Sequence, residues 1–479
     1  MTLIDAIKSF CLSLYFYICR GVTYYSPFIL KRTIFYIRRG YLLGNTMETE
    51  RGLLVTTQSS QVIESIDHFH HQILAAGKEP HLILEAVTKY PDNLLLQVYA
   101  ASFYLYGQTN PTTAKAKEHL FHAEKSLYSA NLREKLVYQA AKAWMCLDYE
   151  TALTILAALT TIYPRDTLAA KFAEWLYYCT GQAYNSHHYL AFCERIAPYN
   201  QDESHFIAMH SFAAELSGHL SEAQCLAEKA LLLETLTPWA HHTLAHIYLN
   251  TNNLAKGIAV LETFQVSWKE ISPLLRGHNS WHLALFYLAL RQAEKVMALY
   301  PAIFGRAPEV ITEQIDALSL LWRLDMAGFP QLNQLKIIAG YLDANPYAHY
   351  IGFNTVHYIY CLARLGRENE VQNAILSIKK YAKTLCKGYR RTLWQKVVLP
   401  LSKGIHAFVT NDYQTALDFM TPCIARRTEI GGSDAQSEIL AQTYLLCLLQ
   451  TNKKKAAKDY FNLHLRHYKG TPLAEFWFA

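Results

Sequence analysis

The sequence predicts an all-α chain folded as a right-handed superhelix of stacked helix-turn-helix pairs, and three observations carry that prediction. From Glu50 onward apolar residues recur at spacings of three and four, broken by short Pro, Gly, Asn and Asp punctuation, with no convincing strand pattern. The punctuation itself repeats: Pro164 and Pro198 lie 34 residues apart, as do Gly218 and Asn252, and Ala223 and Gly257. The composition, 51% hydrophobic and only 18% charged over 479 residues, supplies core for a long folded array. Aromatic residues at 13%, with 33 Tyr, suit the large wedges that sit between stacked helices.

Residues 1–46 stand apart from the rest. Phe10–Cys19 is an apolar and aromatic run, followed by Arg20, a second run ending at Leu30-Lys31-Arg32, and TIFYI before Arg38-Arg39. No run reaches the ~20 apolar residues of a spanning helix, and no small-residue cleavage site follows the first run. Lys8, Arg20, Lys31, Arg32, Arg38 and Arg39 against Asp5 give this extension +5 of the chain's net +6. The body therefore has no basic stripe, which excludes a nucleic-acid partner. Short aromatic runs between basic residues fit a peripheral contact with an anionic membrane surface. Two further readings stand beside it: the segment docks on the first repeat, or the protein starts at the internal Met47.

The repeat domain is expected over 47–479. One helix of the unit 132–164 ends at Leu147 and turns at Asp148-Tyr149, and TALTILAALTTIY runs on to Pro164. Further turns of this kind fall at Gly366-Arg367-Glu368 and Asn411-Asp412-Tyr413, while 300–400 is irregular enough to hold a longer or bent helix. A period of 34, a small residue where two helices cross and Pro at the exit form the tetratricopeptide pattern. A helix pair of this length cannot bury its apolar faces alone, so neighbours must stack. The first helix of each pair then lines the concave wall. The ten Cys include no C-x-x-C pair and fall in apolar patterns, as Cys146, Cys179 and Cys447 do, which reads as free thiols in a reducing, cytoplasmic setting.

Several segments together resemble the tetratricopeptide repeat protein 38 family. They are YPRDTLAAKFAEWLYYCTGQ (163–182), HHTLAHIYLN (241–250), SWKEISPLLRGHNSWHLALFYL (267–288), DALSLLWRLDMAG (316–328), FNTVHYIYCLARLG (353–366), LPLSKGIHAF (399–408) and IGGSDAQSEI (430–439). The likeness runs from about Gly52 to about Leu449 and implies an all-helical tetratricopeptide-like fold, without a settled biochemical activity. The chain departs from the family pattern at Ser280, where an aromatic is usual, and at Ser437-Glu438, where Arg-Asp is common. Residues 1–46 have no counterpart there.

Thr237–Leu285 holds the chemistry. It carries two His-x-x-x-His spacings, His242/His246 and His278/His282, and residues four apart share a helix face. Two imidazoles so placed reach one divalent transition metal, and Asp316 or His357 on later first helices would complete a site suited to Zn²⁺, Fe²⁺ or Mn²⁺. No Glu follows the first His, so the metallopeptidase pattern H-E-x-x-H is not met. With 21 His in the chain, chance pairs and core networks through Asn279 or Trp281 are the plain alternative.

Asn354 and His357 share a face and are further candidates, as substrate contacts or as a helix kink after Gly352. IGGSDAQS (430–437) reads as a turn in which Ser433 or Asp434 caps the final helix, and it lacks the Lys of a phosphate loop. Trp239, Trp268, Trp281 and Trp322 read as core wedges. The expected function is a cytoplasmic binding or scaffold protein that takes a peptide or small molecule in a His-rich concave groove. The alternative is a metal-assisted hydrolase in that groove, and a third reading is a membrane-associated adaptor held by residues 1–46.

Overall fold

The computed structural model describes residues 46–342 and 349–479; the extension and its membrane reading lie outside them, apart from Thr46. The fold is an all-α helical repeat of stacked antiparallel pairs. In chain order the helices are α1 (Ser60–Leu74), α2 (Ile83–Lys89), α3 (Leu94–Leu105), α4 (Asn110–Glu124), α5 (Leu132–Met145), α6 (Tyr149–Ile162), α7 (Thr167–Thr180) and α8 (Ser186–Ile196). There follow α9 (Ser204–Leu216), α10 (Leu220–Leu233), α11 (Pro238–Asn250), α12 (Leu254–Gln265), α13 (Pro273–Ala289), α14 (Ala293–Ile303), α15 (Ile311–Met326) and α16 (Leu332–Leu342). The last are α17 (Gly352–Arg364), α18 (Glu368–Thr384), α19 (Tyr389–Leu393), α20 (Leu399–Val409), α21 (Tyr413–Met420), α22 (Asp434–Gln450), α23 (Lys454–His464) and α24 (Pro472–Phe478). None of them is long and apolar enough to cross a membrane.

One turn design joins the helices of most pairs. At Gly218, His219 N bonds back to Ala214 O and Gly218 N to Glu215 O; at Asn252 the same two bonds run to Tyr248 O and Leu249 O. This closure requires a left-handed residue, with φ of 81° at Gly218 and 54° at Asn252. Leu147, Arg291, Gly328, Gly366, Asn411 and Asn452 hold the same conformation at equivalent places. The small residue at each helix crossing is equally physical. A Cβ on Gly257 would lie 2.2 Å from the Phe286 ring of the next pair.

First helices are buried nearly all round: in α11, Ala240 to Leu249 are all inaccessible, whereas α12 buries only Gly257 and Leu261. Neighbouring repeats are also joined by charge. Arg133 on α5 donates to Asp166 at 2.7 Å, both within 2% of full burial, and Asp166 caps α7 through Ala169 N.

One feature lay beyond the sequence pattern. Thr46–Glu48 and Leu54–Thr56 pair as a small antiparallel hairpin, with Met47 opposite Val55, so a strand does occur beyond Glu50. Three residues are too short a run to show alternation. The second strand is anchored by buried Glu134, which accepts from Thr56 N and Oγ1. In the irregular region α19 and α20 run on into one longer helix through a π-helical turn at Trp394–Val398, just before Pro400, which has no N–H to donate.

The array closes on itself. Tyr350 Oη meets Thr113 Oγ1 at 2.7 Å, Asn354 Nδ2 donates to Gln108 Oε1 at 2.9 Å, and Tyr149 Oη donates to Tyr350 O. The segment before α22 turns inward: Gly432 N donates to Tyr178 O, and Gly432 O accepts from Gln182 N. The Thr428 carbonyl occupies the place of a Cβ at Gly181, 1.9 Å from it. α22 then packs on α15, with Arg323 donating to the Ala435 and Gln436 carbonyls.

Candidate metal centre

Stacking of α11 on α13 brings all four imidazoles of the two pairs together. Ring centroids are 4.6 Å apart for His242–His246 and for His246–His282, 4.7 Å for His242–His282 and 4.8 Å for His278–His282. Phe212 of α9 lies edge-on to His242 and His246, and Trp281 stacks on His278. The cluster is interior: His242, His246 and His282 are at most 3% exposed, and His278, with its side chain 18% exposed, is the imidazole nearest solvent.

The hydrogen bonds set the tautomers. His278 Nδ1 lies 2.8 Å from Asp316 Oδ2 on α15, so this nitrogen carries the proton. In the neutral ring that leaves Nε2 as an acceptor, with His242 Nε2 as its donor 3.2 Å away. Asp316 is itself fixed by Gln436 Nε2 on α22. Burial, reinforced by the neighbouring imidazoles, holds His242 and His282 well below the ordinary histidine range, so both rings are neutral and able to ligate.

One ligand atom from each of His242, His278 and His282 lies within 4.8 Å of the others. His242 Nδ1 and both nitrogens of His282 make no hydrogen bond. Buried orphan nitrogens are costly, and a shared cation is one way to satisfy several at once. A carboxylate behind a ligating His is the usual outer partner of such a site, and Asp316 has that position. Three protein nitrogens leave a fourth position open.

His246 belongs to a second group. Its Nδ1 lies 3.0 Å from Asp434 Oδ1 and 3.4 Å from Glu215 Oε2. Burial and then the Asp434 charge push the Glu215 carboxyl well above its usual range. Burial would raise Asp434 too, but the His246 charge, its own helix's Ala435 amide and Asn250 outweigh it and hold the group at about 2.

The other candidates lie elsewhere. Asn279 donates to Pro238 O and ties α13 to α11. Asn354 is engaged with Gln108, and His357 bonds its own helix at Phe353 O and lies edge-on to Trp322. Ser433 does cap a helix, with Gln436 completing the reciprocal bond, but that helix is α22 and two more follow it. Trp268, Trp281 and Trp322 are fully buried, as wedges should be, and Trp239 lies under the Lys171 ammonium at 3.5 Å.

Glu215 and Asp434 escaped the sequence reading. A charged residue in the otherwise apolar run before Gly218 was the available signal for the first; Asp434 was hidden by its place in a capping turn. No protein-family model matches the chain.

Proposed function

We propose that this chain is a tetratricopeptide-like repeat protein that holds a divalent transition metal on His242, His278 and His282 and binds a small molecule there. The observation that carries this reading is the convergence of three imidazoles, two of them held neutral by burial, with the Asp316 carboxylate behind the third, His278. An extended peptide is less well supported, because α22 and the segment before it occupy the inner face of the array. Likeness to the tetratricopeptide repeat protein 38 family is part of the reading and rests on the segments quoted above. A cytoplasmic location is part of the reading and rests on buried free thiols such as Cys179, Cys193 and Cys447.

Metal-assisted hydrolysis is the second reading. It is favoured by the same open position, where the metal would lower the pKa of bound water. The test is metal analysis of untagged protein, followed by mass spectrometry of small molecules retained by the loaded form. His278→Ala and His282→Ala should each abolish metal at this site and the retained compound. Metal content unchanged in both variants would sink the proposal.

A further inference from the structure

We infer that Glu215, His246 and Asp434 form a second divalent-cation site, beside the three-histidine group and distinct from it in chemistry. Each residue comes from a different helix: Glu215 from the end of α9, His246 from α11, and Asp434 from the first turn of α22. One ligand atom from each lies within 4.8 Å of the other two.

The spacing is that of a coordination shell. Donors about 2.1 Å from one ion are about 3.0 Å apart at right angles and about 3.4 Å apart at the tetrahedral angle. His246 Nδ1 lies 3.0 Å from Asp434 Oδ1 and 3.4 Å from Glu215 Oε2. Apart from these ion-pair contacts with one another, the three atoms have no hydrogen-bond partner, although Glu215 is 3% exposed and His246 1%. A second observation points the same way. Asn250 donates its side-chain amide to Glu215 Oε1 at 2.8 Å and to Asp434 Oδ2 at 3.3 Å. One amide thus holds the outer oxygens of both carboxylates and leaves the inner oxygens beside His246, the arrangement of an outer coordination shell.

Two carboxylates and an imidazole make a harder donor set than three imidazoles, suited to Mn²⁺ and Fe²⁺ as well as Zn²⁺. His246 is one helical turn from His242 on α11, so the two sites are neighbours across a single turn. A cation here would also fasten α22 to the middle of the array.

The second site stands without the first, and stoichiometry separates them. Untagged full-length protein is stripped with a chelator, reloaded with Zn²⁺, freed of excess metal by gel filtration and assayed for zinc per chain. Two equivalents are expected for the wild type, and one each for Glu215→Gln, Asp434→Asn and His278→Ala. Wild-type zinc content in both carboxylate variants overturns the second site, as does a single equivalent lost only in His278→Ala. A single equivalent lost only in Asp434→Asn and Glu215→Gln keeps the second site and overturns the first. If a carboxylate variant does not fold, zinc K-edge absorption of His278→Ala decides: its one remaining equivalent is expected to have more oxygen than nitrogen ligands, and no zinc retained or nitrogen-dominated ligation overturns the inference.

Discussion

Asp316 accepts from His278 across two neighbouring repeats, at 2.8 Å between Oδ2 and Nδ1, and thereby fixes which ring nitrogen of His278 carries the lone pair. Asp316→Asn removes the charge while keeping the size of the side chain. Outer partners of this kind are worth about 10- to 100-fold in metal affinity. We expect zinc affinity at the three-histidine site to fall within that range in competition with a chromophoric chelator, with unfolding by urea little changed. An affinity equal to wild type would show that Asp316 only fills space.

Gly181 has φ of 92°, and the Thr428 carbonyl stands where its Cβ would be. Gly181→Ala must displace the segment that leads into α22. The expected cost is about 2 kcal/mol or more in urea unfolding, from the backbone conformation and the clash together. Because that segment carries Asp434 to His246, the same variant should bind less cation at the second site.

Arg133 and Asp166 are a buried pair, so removing one partner strands the other's charge. Arg133→Met should cost about 3 to 5 kcal/mol, and the double variant with Asp166→Asn should recover part of it. Equilibrium urea unfolding of the three proteins checks this; a single variant within 1 kcal/mol of wild type would contradict it.

Burial holds His241 at about 4, below the ordinary histidine range, while it stacks on Phe264 and accepts from Trp268 Nε1. The unfolded chain therefore takes up a proton near pH 6.5 that the folded chain refuses until about pH 4. Stability should be fully present above pH 6.5 and fall as the pH drops through that window, by about 3 kcal/mol from this residue. In His241→Leu, which loses the Trp268 acceptor, the protein should be weaker at pH 7.5 but less sensitive to acid. An unchanged slope of stability against pH would refute the assignment.

The sequence revealed most of what depends on neighbours along the chain. Helix pairs followed from apolar spacing, and the turns at Gly218 and Asn252 from residues that accept positive φ. Leu147 and Arg291 adopt the same conformation without being Gly or Asn; the turn at Leu147 was legible from Asp148-Tyr149 after it, whereas nothing comparable follows Arg291. The two His pairs were legible because spacing of four puts both members on one face. What could not be read was distance closed by the fold. Asp434 reaches His246 only because the segment at Gly432 is drawn in against Tyr178, and no local pattern encodes that path. Nor did the polar residues inside α22 mark it as an interior helix, since Gln436, Ser437 and Gln442 would suit an exposed one equally well.

The contacts of Tyr350 with Thr113 and Tyr149, and of Asn354 with Gln108, bear on how such a chain can change in length. An open solenoid grows by duplicating a repeat, because each unit needs only the two beside it. Here an inserted pair would rotate the later repeats away from Thr113 and Gln108 and carry Asp434 away from His246. The number of repeats is thereby tied to the geometry of the centre. Lineages of this fold should tolerate longer turns on the outer helices far more readily than a gained or lost pair.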